Sequence, residues 1–327
     1  MSAISDVEWM AATARLAARA YPMCRPNPGV AALLVKDDRV IARGVTQAGG
    51  RPHAEAEALA SVGGLGEGGA KGATLYVTLE PCAHQSTRGP SCTDLVIAAA
   101  PKRLVIGQTD PDKRTNGEGI KRIKAAGIAV SVLDDDASRV ALKGFLARET
   151  LGRPYVTLKL ATSLDGCIAL ADGSSQWITG DMARAHVHAH RARCDAILVG
   201  GATWRDDKPR LDVRLPGLEE RSPARILLTR GIAPDGVRVI NKPQQITALE
   251  DAQTLYIEGG ALAAASFLEL DLVDELHLYR APIIIGAGKA ALGDIGLGNL
   301  ADAHGRWNLA EMQPLGSDTF TSYVRVR

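Results

Sequence analysis

Aromatic residues make up only 4% of the 327 positions, and charge of either sign is hardly in excess, with 38 Lys and Arg against 37 Asp and Glu. So few rings argue against the stacking platforms that bind single-stranded nucleic acid. A formal charge of +1 leaves no electrostatic footprint for wrapping a polyanion or coating a membrane, while a small anionic substrate stays compatible with it. No apolar run approaches the roughly 20 residues that span a bilayer. The opening MSAISDVEWM is acidic and amphipathic where a secretory signal is basic and then apolar. The expected setting is cytoplasmic, with neither membrane nor nucleic acid as partner. Cysteines number five (Cys24, Cys82, Cys92, Cys167, Cys194), which in that compartment points to metal binding or burial rather than a disulfide framework. No Gly-x-Gly-x-x-Gly follows a strand, so a Rossmann site is not indicated. Internal repeats and low-complexity tracts are absent, and Gly63 to Gly72 reads as a glycine-rich surface loop.

What is present is a chain too long for one hydrophobic core, patterned as two successive α/β units. Ser5-Asp6-Val7-Glu8 is a capping box that opens an alanine-rich helix up to Tyr21. Val30 to Lys36 and Arg39 to Arg43, split by Asp37-Asp38, predict two antiparallel strands. Helical and strand-like segments then alternate: 53–62, 74–79, 92–100, 103–107, 119–126 and 128–133. A helical stretch at 136–150 meets Gly152-Arg153-Pro154, where proline disfavours helix in the residue before it. The domains are therefore expected at 1–150 and 151–327. The second half predicts strands at 155–161, 196–200, 224–229, 254–257 and 275–279, and helices near 181–192 and 261–270.

The chemistry-bearing residues of the first half are His53-Ala54-Glu55, Pro81-Cys82 and Cys92. One imidazole and two thiolates make a three-ligand zinc set with a fourth position open for water, and His-x-Glu with Pro-Cys and a second cysteine is the signature of zinc nucleobase deaminases. Zinc lowers the pKa of bound water from about 16 towards 7. Glu55, two residues from His53 at a helix start, is placed to shuttle the proton from that water to the departing amine. Cys92 opens a helix, whose free amides favour a thiolate there. A structural zinc site would want a fourth protein ligand, and the nearest candidate, His84, sits very close to Cys82. Two other readings stay open on these residues alone. One is a nucleoside or tRNA deaminase with an accessory nucleotide-binding domain. The other is a zinc-stabilised binding module, against which Glu55 speaks, since a structural site has no use for that carboxylate.

Asn27-Pro28, His53-Ala54-Glu55 and Thr78-Leu79-Glu80-Pro81-Cys82-Ala83-His84 through Pro90-Ser91-Cys92 together resemble the bifunctional deaminase/reductase family of riboflavin biosynthesis. The likeness continues through Arg153-Pro154-Tyr155-Val156, Leu160 to Gly166, Asp195 to Gly200, Glu258-Gly259-Gly260 and Ala281-Pro282. It implies a cytidine-deaminase-like three-layer domain followed by a dihydrofolate-reductase-like α/β domain. It also implies a phosphoribosylated pyrimidine substrate, zinc and NADPH as cofactors, and a homo-oligomer, dimer or tetramer. Carried over by position, Asn27, His84 and Arg88 contact the deaminase substrate. Ser175, Arg191, Asp207, Arg214 and Glu258 line the ribose-phosphate site, with Asp207 as the acid of the reduction and Asp206 next to it. Trp177, Thr179, Thr203, Gly259 and Gly260 face the cofactor. A sugar phosphate wants arginines and a carbonyl reduction wants a proton source, so the chemistry agrees. The chain departs from the family pattern at Ala31, which stands where glycine is usual, at Thr46, which replaces a histidine, and at Arg88, which replaces a lysine in a loop one residue longer.

Overall fold

The computed structural model describes residues 4–63, 69–84, 87, 89–231 and 234–327, so part of the Gly63 to Gly72 loop and Arg88 lie outside the described residues. The chain divides into two compact units, Met1–Gly152 and Arg153–Arg327.

The first unit runs α1 (Asp6–Ala17), β1 (Ala31–Lys36), β2 (Arg39–Val45), α2 (Ala54–Ala60), β3 (Thr74–Leu79), α3 (Cys92–Ala99), β4 (Arg103–Gln108), α4 (Glu118–Ala125), β5 (Ala129–Val132), α5 (Asp136–Ala141) and α6 (Lys143–Leu151). The capping box forms as expected, Glu8 N–H donating to Ser5 Oγ at 3.3 Å and Ser5 N–H to Glu8 Oε2 at 2.9 Å. The helix stops at Ala17, four residues short of Tyr21. The expected 136–150 helix is two helices broken at Leu142. The strands form one sheet in the order β2-β1-β3-β4-β5, with β1 antiparallel to both neighbours and β3, β4 and β5 parallel. Side chains alternate across a strand, and β1 is buried on both faces because each has its own cover. Ala32 and Leu34 pack with Ala58, Val96 and Ile123 from α2, α3 and α4, whereas Leu33 and Val35 pack with Met10 of α1. The result is three layers, with the parallel strands β3 and β4 delivering their C-terminal ends to one edge.

Just beyond β4, Asp110 is buried, 7% exposed, and burial pushes its carboxyl up to about 7. Folding therefore favours the protonated form. The stability this supplies is complete below the ordinary value near 4 and is lost as pH rises to about 7, at a slope of up to roughly 1.4 kcal/mol per pH unit. Asp110→Asn can still accept the Asp112 N–H (2.9 Å). It should flatten that pH dependence and raise the melting temperature of the first unit at pH 8 by several degrees. Parallel melting curves for variant and parent at pH 8 would refute it.

The second unit runs β6 (Tyr155–Thr162), β7 (Cys167–Ala169), α7 (Asp181–Arg191), β8 (Ala196–Gly200), α8 (Gly201–Asp207), β9 (Ala224–Leu228), β10 (Arg238–Ile240), β11 (Thr254–Ile257), α9 (Ala261–Glu269), β12 (Glu275–Arg280), β13 (Lys289–Ala290), β14 (Trp307–Leu315) and β15 (Asp318–Arg325). Eight strands form a sheet in the order β10-β9-β8-β11-β6-β12-β15-β14, the first six parallel and the last two an antiparallel hairpin. Val156, Leu158, Leu198, Leu255 and Ile257 point to the face covered by Phe267 of α9. The alternate residue Tyr256 points to the face covered by Ala183 and Val187 of α7. By the same alternation Lys159 and Glu258 belong to the α7 face.

Candidate active sites

His53 is the residue immediately before α2, in extended geometry with no capping duty for its ring. Cys82 follows β3 directly, and Cys92 is the first residue of α3. Their ligand atoms all lie within 4.8 Å of one another: His53 Nδ1 is 3.3 Å from Cys92 Sγ and 3.7 Å from Cys82 Sγ. One imidazole nitrogen and two sulfurs converging on a point, with no fourth side-chain ligand gathered there among the described residues, is a donor set that fits an open zinc site.

Glu55 sits in the first turn of α2, 3% exposed. Burial pushes its carboxyl up to about 7, with the Cys82 charge adding to the rise and His53 opposing it. The cysteines differ from one another. Cys82 is drawn down to about 4, chiefly by its hydrogen bond with Cys92 and then, against desolvation, by His53 and the Cys92 backbone N–H, which donates to its sulfur at 3.3 Å. Cys92 is pushed up by Cys82 and by burial. The helix-start amide expected to favour a Cys92 thiolate thus serves Cys82 instead, because it points back across the strand end.

Around this cluster, Asn27 Nδ2 donates to Gly50 O at 2.7 Å and lies 3.0 Å from His53 Nε2. Gly50 has φ of +87°, and a Cβ built on it would come within 2.8 Å of Asn27 Cγ, so glycine is needed on both counts. Thr46 is buried and its hydroxyl accepts the Val30 N–H at 3.0 Å, which occupies it in holding two backbone segments together. Ala31 is buried in β1. The ring of His84 lies beyond Cys82, and its buried Nδ1 has no hydrogen-bond partner among the described residues.

In the second unit the structure gathers Arg191, Arg214 and Glu258. Arg191, at the end of α7, donates from Nε and Nη2 to the Glu258 carboxylate at 2.6 and 2.9 Å, and from Nη1 to Asp212 O at 2.9 Å. Burial alone would raise Glu258, but the Arg191 charge and hydrogen bonds, with Lys159, hold it below the ordinary carboxylate range. The Arg214 backbone and guanidinium both meet the His188 ring, each at 3.2 Å. Lys159 of β6 places Nζ 4.0 Å from Glu258 Oε2, and desolvation lowers it against the pull of Glu258. Sequence reasoning passed over Lys159 and His188. For Lys159 a signal existed: one cation in the alternating run Tyr155-Val156-Thr157-Leu158-Lys159-Leu160, on the face opposite the leucines. Asp207 ends α8 and is exposed as a residue, and burial followed by the Asp206 charge raises its carboxyl. Ser175 lies in the loop before α7, partly buried.

The residues expected to face the cofactor fall into two groups. Trp177 and Thr179 line a cleft of about 360 Å³ with Ala281, Pro282 and Ile283, just past β12, and Arg184 lies 4.9 Å over the Trp177 ring. Thr203 accepts the Gly260 N–H at 3.0 Å, which joins α8 to the turn before α9. A Cβ at Gly259 would stand 2.8 Å from Ala263 Cβ. The α9 terminus has no side-chain cap, so its backbone amides suit an anion.

Residues 4–108 match the family model for the cytidine and deoxycytidylate deaminase zinc-binding region, and residues 154–321 that for the RibD C-terminal domain. The fold and the His-Cys-Cys cluster thus define a zinc-dependent deaminase joined to a reductase, a cytidine-deaminase-like domain followed by a dihydrofolate-reductase-like one. The chain is 35% identical to the riboflavin biosynthesis protein RibD of Escherichia coli, over 96% of this chain and 98% of that one. Among solved structures it is similar to Acinetobacter baumannii RibD (TM-score 0.86, 32% identity, 98% of both chains) and to a Thermotoga maritima diaminohydroxyphosphoribosylaminopyrimidine deaminase/5-amino-6-(5-phosphoribosylamino)uracil reductase (TM-score 0.85, 30% identity, 97% of both chains). The chain belongs to the RibD family, the bifunctional deaminase/reductases of riboflavin biosynthesis. Its cofactors are zinc and NADPH. The match over the second half replaces the reading of that half as an accessory nucleotide-binding domain. No helix among the described residues is long and apolar enough to cross a membrane.

Proposed function

We propose that residues 1–150 deaminate 2,5-diamino-6-(5-phosphoribosylamino)pyrimidin-4-one and that residues 151–327 reduce the ribosyl group of the product, giving 5-amino-6-(5-phosphoribitylamino)uracil. The observation that carries the first step is the convergence of His53, Cys82 and Cys92 beside the buried Glu55 carboxyl. Those three residues would hold zinc, which when bound makes hydroxide available near neutral pH. Glu55, poised near 7, takes the proton of the attacking water and returns it to the departing amine. Asn27, His84 and Arg88 contact the substrate, with Asn27 pre-set by Gly50.

For the reduction, Trp177, Thr179, Thr203, Gly259 and Gly260 would hold NADPH, which supplies a hydride when bound. Ser175, Arg191, Arg214 and Glu258 line the ribose-phosphate site, with the arginines as the groups that meet the phosphate. Arg191 spends three of its N–H donors on Glu258 and Asp212, so the pair acts as a fixed wall and Arg214 as the nearer phosphate partner. Lys159 supplies the proton to the former ring oxygen because it stands in this cluster, and Asp207 orients the sugar hydroxyls. Five cysteines, two of them taken up by the metal cluster, fit a cytoplasmic setting, and balanced charge speaks against nucleic acid. Exposed Leu309 and Met312 on the edge strand β14 fit a homo-oligomer, dimer or tetramer. Incubating the protein with the diaminopyrimidine ribotide should release ammonia without NADPH, and adding NADPH should then oxidise it in step with product. Ammonia release that requires NADPH, or NADPH oxidation without prior deamination, would overturn the assignment.

A further inference from the structure

The two cysteines belong to different elements, the end of β3 and the start of α3. Two contacts join the elements directly: Thr93 N–H donates to Cys82 O, and Thr93 Oγ1 to Pro81 O, both at 3.1 Å. A third link comes from α4. Arg122 donates from Nη1 to Ala83 O, one residue past Cys82, at 3.1 Å, and from Nη2 to the Asp94 carboxylate, two residues past Cys92. Asp94 is itself fixed. Its other oxygen takes the Ser91 hydroxyl at 2.6 Å and the Ser91 N–H at 3.2 Å, completing the cap of α3.

The base from which Arg122 reaches is also anchored to the cysteine-bearing strand. Glu80, two residues before Cys82, accepts the N–H groups of Gly117 (3.0 Å) and Ile120 (3.2 Å) and so caps α4. At Gly119 a Cβ would lie 2.6 Å from Pro81 O, so α4 and the strand end are in backbone contact. A planar guanidinium can hold a carbonyl and a carboxylate at once in one rigid fork, whereas an ammonium acts as a point charge. We propose that Arg122 is a positioning residue that sets the spacing of the Cys82 and Cys92 sulfurs, acting through Ala83 and Asp94 and touching neither metal nor substrate. Both partners are about one-third exposed, so screening leaves the pair little weight in overall stability. Its value is geometric.

The inference rests on the reading of Cys82 and Cys92 as metal ligands, and the test separates the two. Full-length, zinc-loaded protein carrying Arg122→Met or Arg122→Lys is compared with the parent for zinc release to a chromophoric chelator, for kcat and KM of deamination, for reductase activity and for melting. Residues around a metal site that orient its ligands typically matter 10–100-fold. Arg122→Met should therefore release zinc about tenfold faster and lose deaminase kcat with little change in KM, its reductase activity unchanged. Arg122→Lys should fall between, because it can keep one of the two contacts. Zinc release within twofold of the parent, or a lowered melting temperature as the only effect, overturns the positioning role. Cys82→Ser is the control: zinc retained in that variant overturns the ligand assignment itself, and with it this inference.

Discussion

Glu55→Gln is expected to keep a full complement of zinc and to release ammonia about 10²–10⁴-fold more slowly, the range a positioned proton shuttle supplies. The substitution preserves shape at a site where the side chain is 3% exposed, and it removes only the ability to take up and give back a proton. His53, Cys82 and Cys92 are untouched, so metal content is the control within the same sample. Reduction of substrate that is already deaminated should proceed at the parental rate, since Glu55 belongs to the first unit and the reductase residues to the second. Near-parental deamination in this variant would remove Glu55 from the chemistry. Loss of zinc would instead show that its carboxylate supports the ligands.

Lys159→Met should depress NADPH oxidation on the deaminated substrate by at least about a hundredfold, with ammonia release intact. The methionine keeps most of the volume of a side chain that desolvation already pushes towards its neutral form. It leaves the Arg191 and Glu258 pair in place, so the buried carboxylate stays compensated and the fold should survive. Asp207→Asn, at the exposed end of α8, should weaken the reaction less, through poorer positioning of the sugar. The reverse ranking, with Asp207→Asn abolishing reduction and Lys159→Met sparing it, would hand the proton to Asp207.

The two sites differ in how far the sequence revealed them. His53 and Glu55 are neighbours on one helix start, and Cys82 and Cys92 flank one segment, so local spacing alone proposes a metal set and the structure gathers it. The reductase cluster joins Lys159, Arg191, Arg214 and Glu258 from four separate segments, and Arg191 and Glu258 are 67 positions apart. No local pattern encodes that meeting; only the resemblance did, and it passed over Lys159. The hairpin of β14 and β15 escaped for a different reason. Most positions of β14 are exposed, so no apolar alternation marks it, and Pro314 argues against a strand except at an edge, which is where β14 lies. Helix α8 is seven residues long, opens on glycine and buries none of its side chains, which leaves nothing periodic to read. In the first unit, Glu80 looked like part of a motif next to the metal, yet its carboxylate spends itself on backbone amides around α4.

Strand β11 lies between β8 and β6 and ends at Ile257, and the next three residues are Glu258, Gly259 and Gly260. Glu258 turns a side chain to Arg191, while Gly259 and Gly260 offer only backbone at the turn into α9. On the proposed assignment, substrate wall and cofactor cradle are consecutive links of one chain, and covalent geometry fixes the step between them at about 3.8 Å per residue. Such a junction has no slack to absorb a change of length. An added residue there would swing Glu258 to the other face of the sheet or unseat the glycines. Across relatives of this enzyme, insertions and deletions should accordingly be absent at the Glu258-Gly259-Gly260 junction.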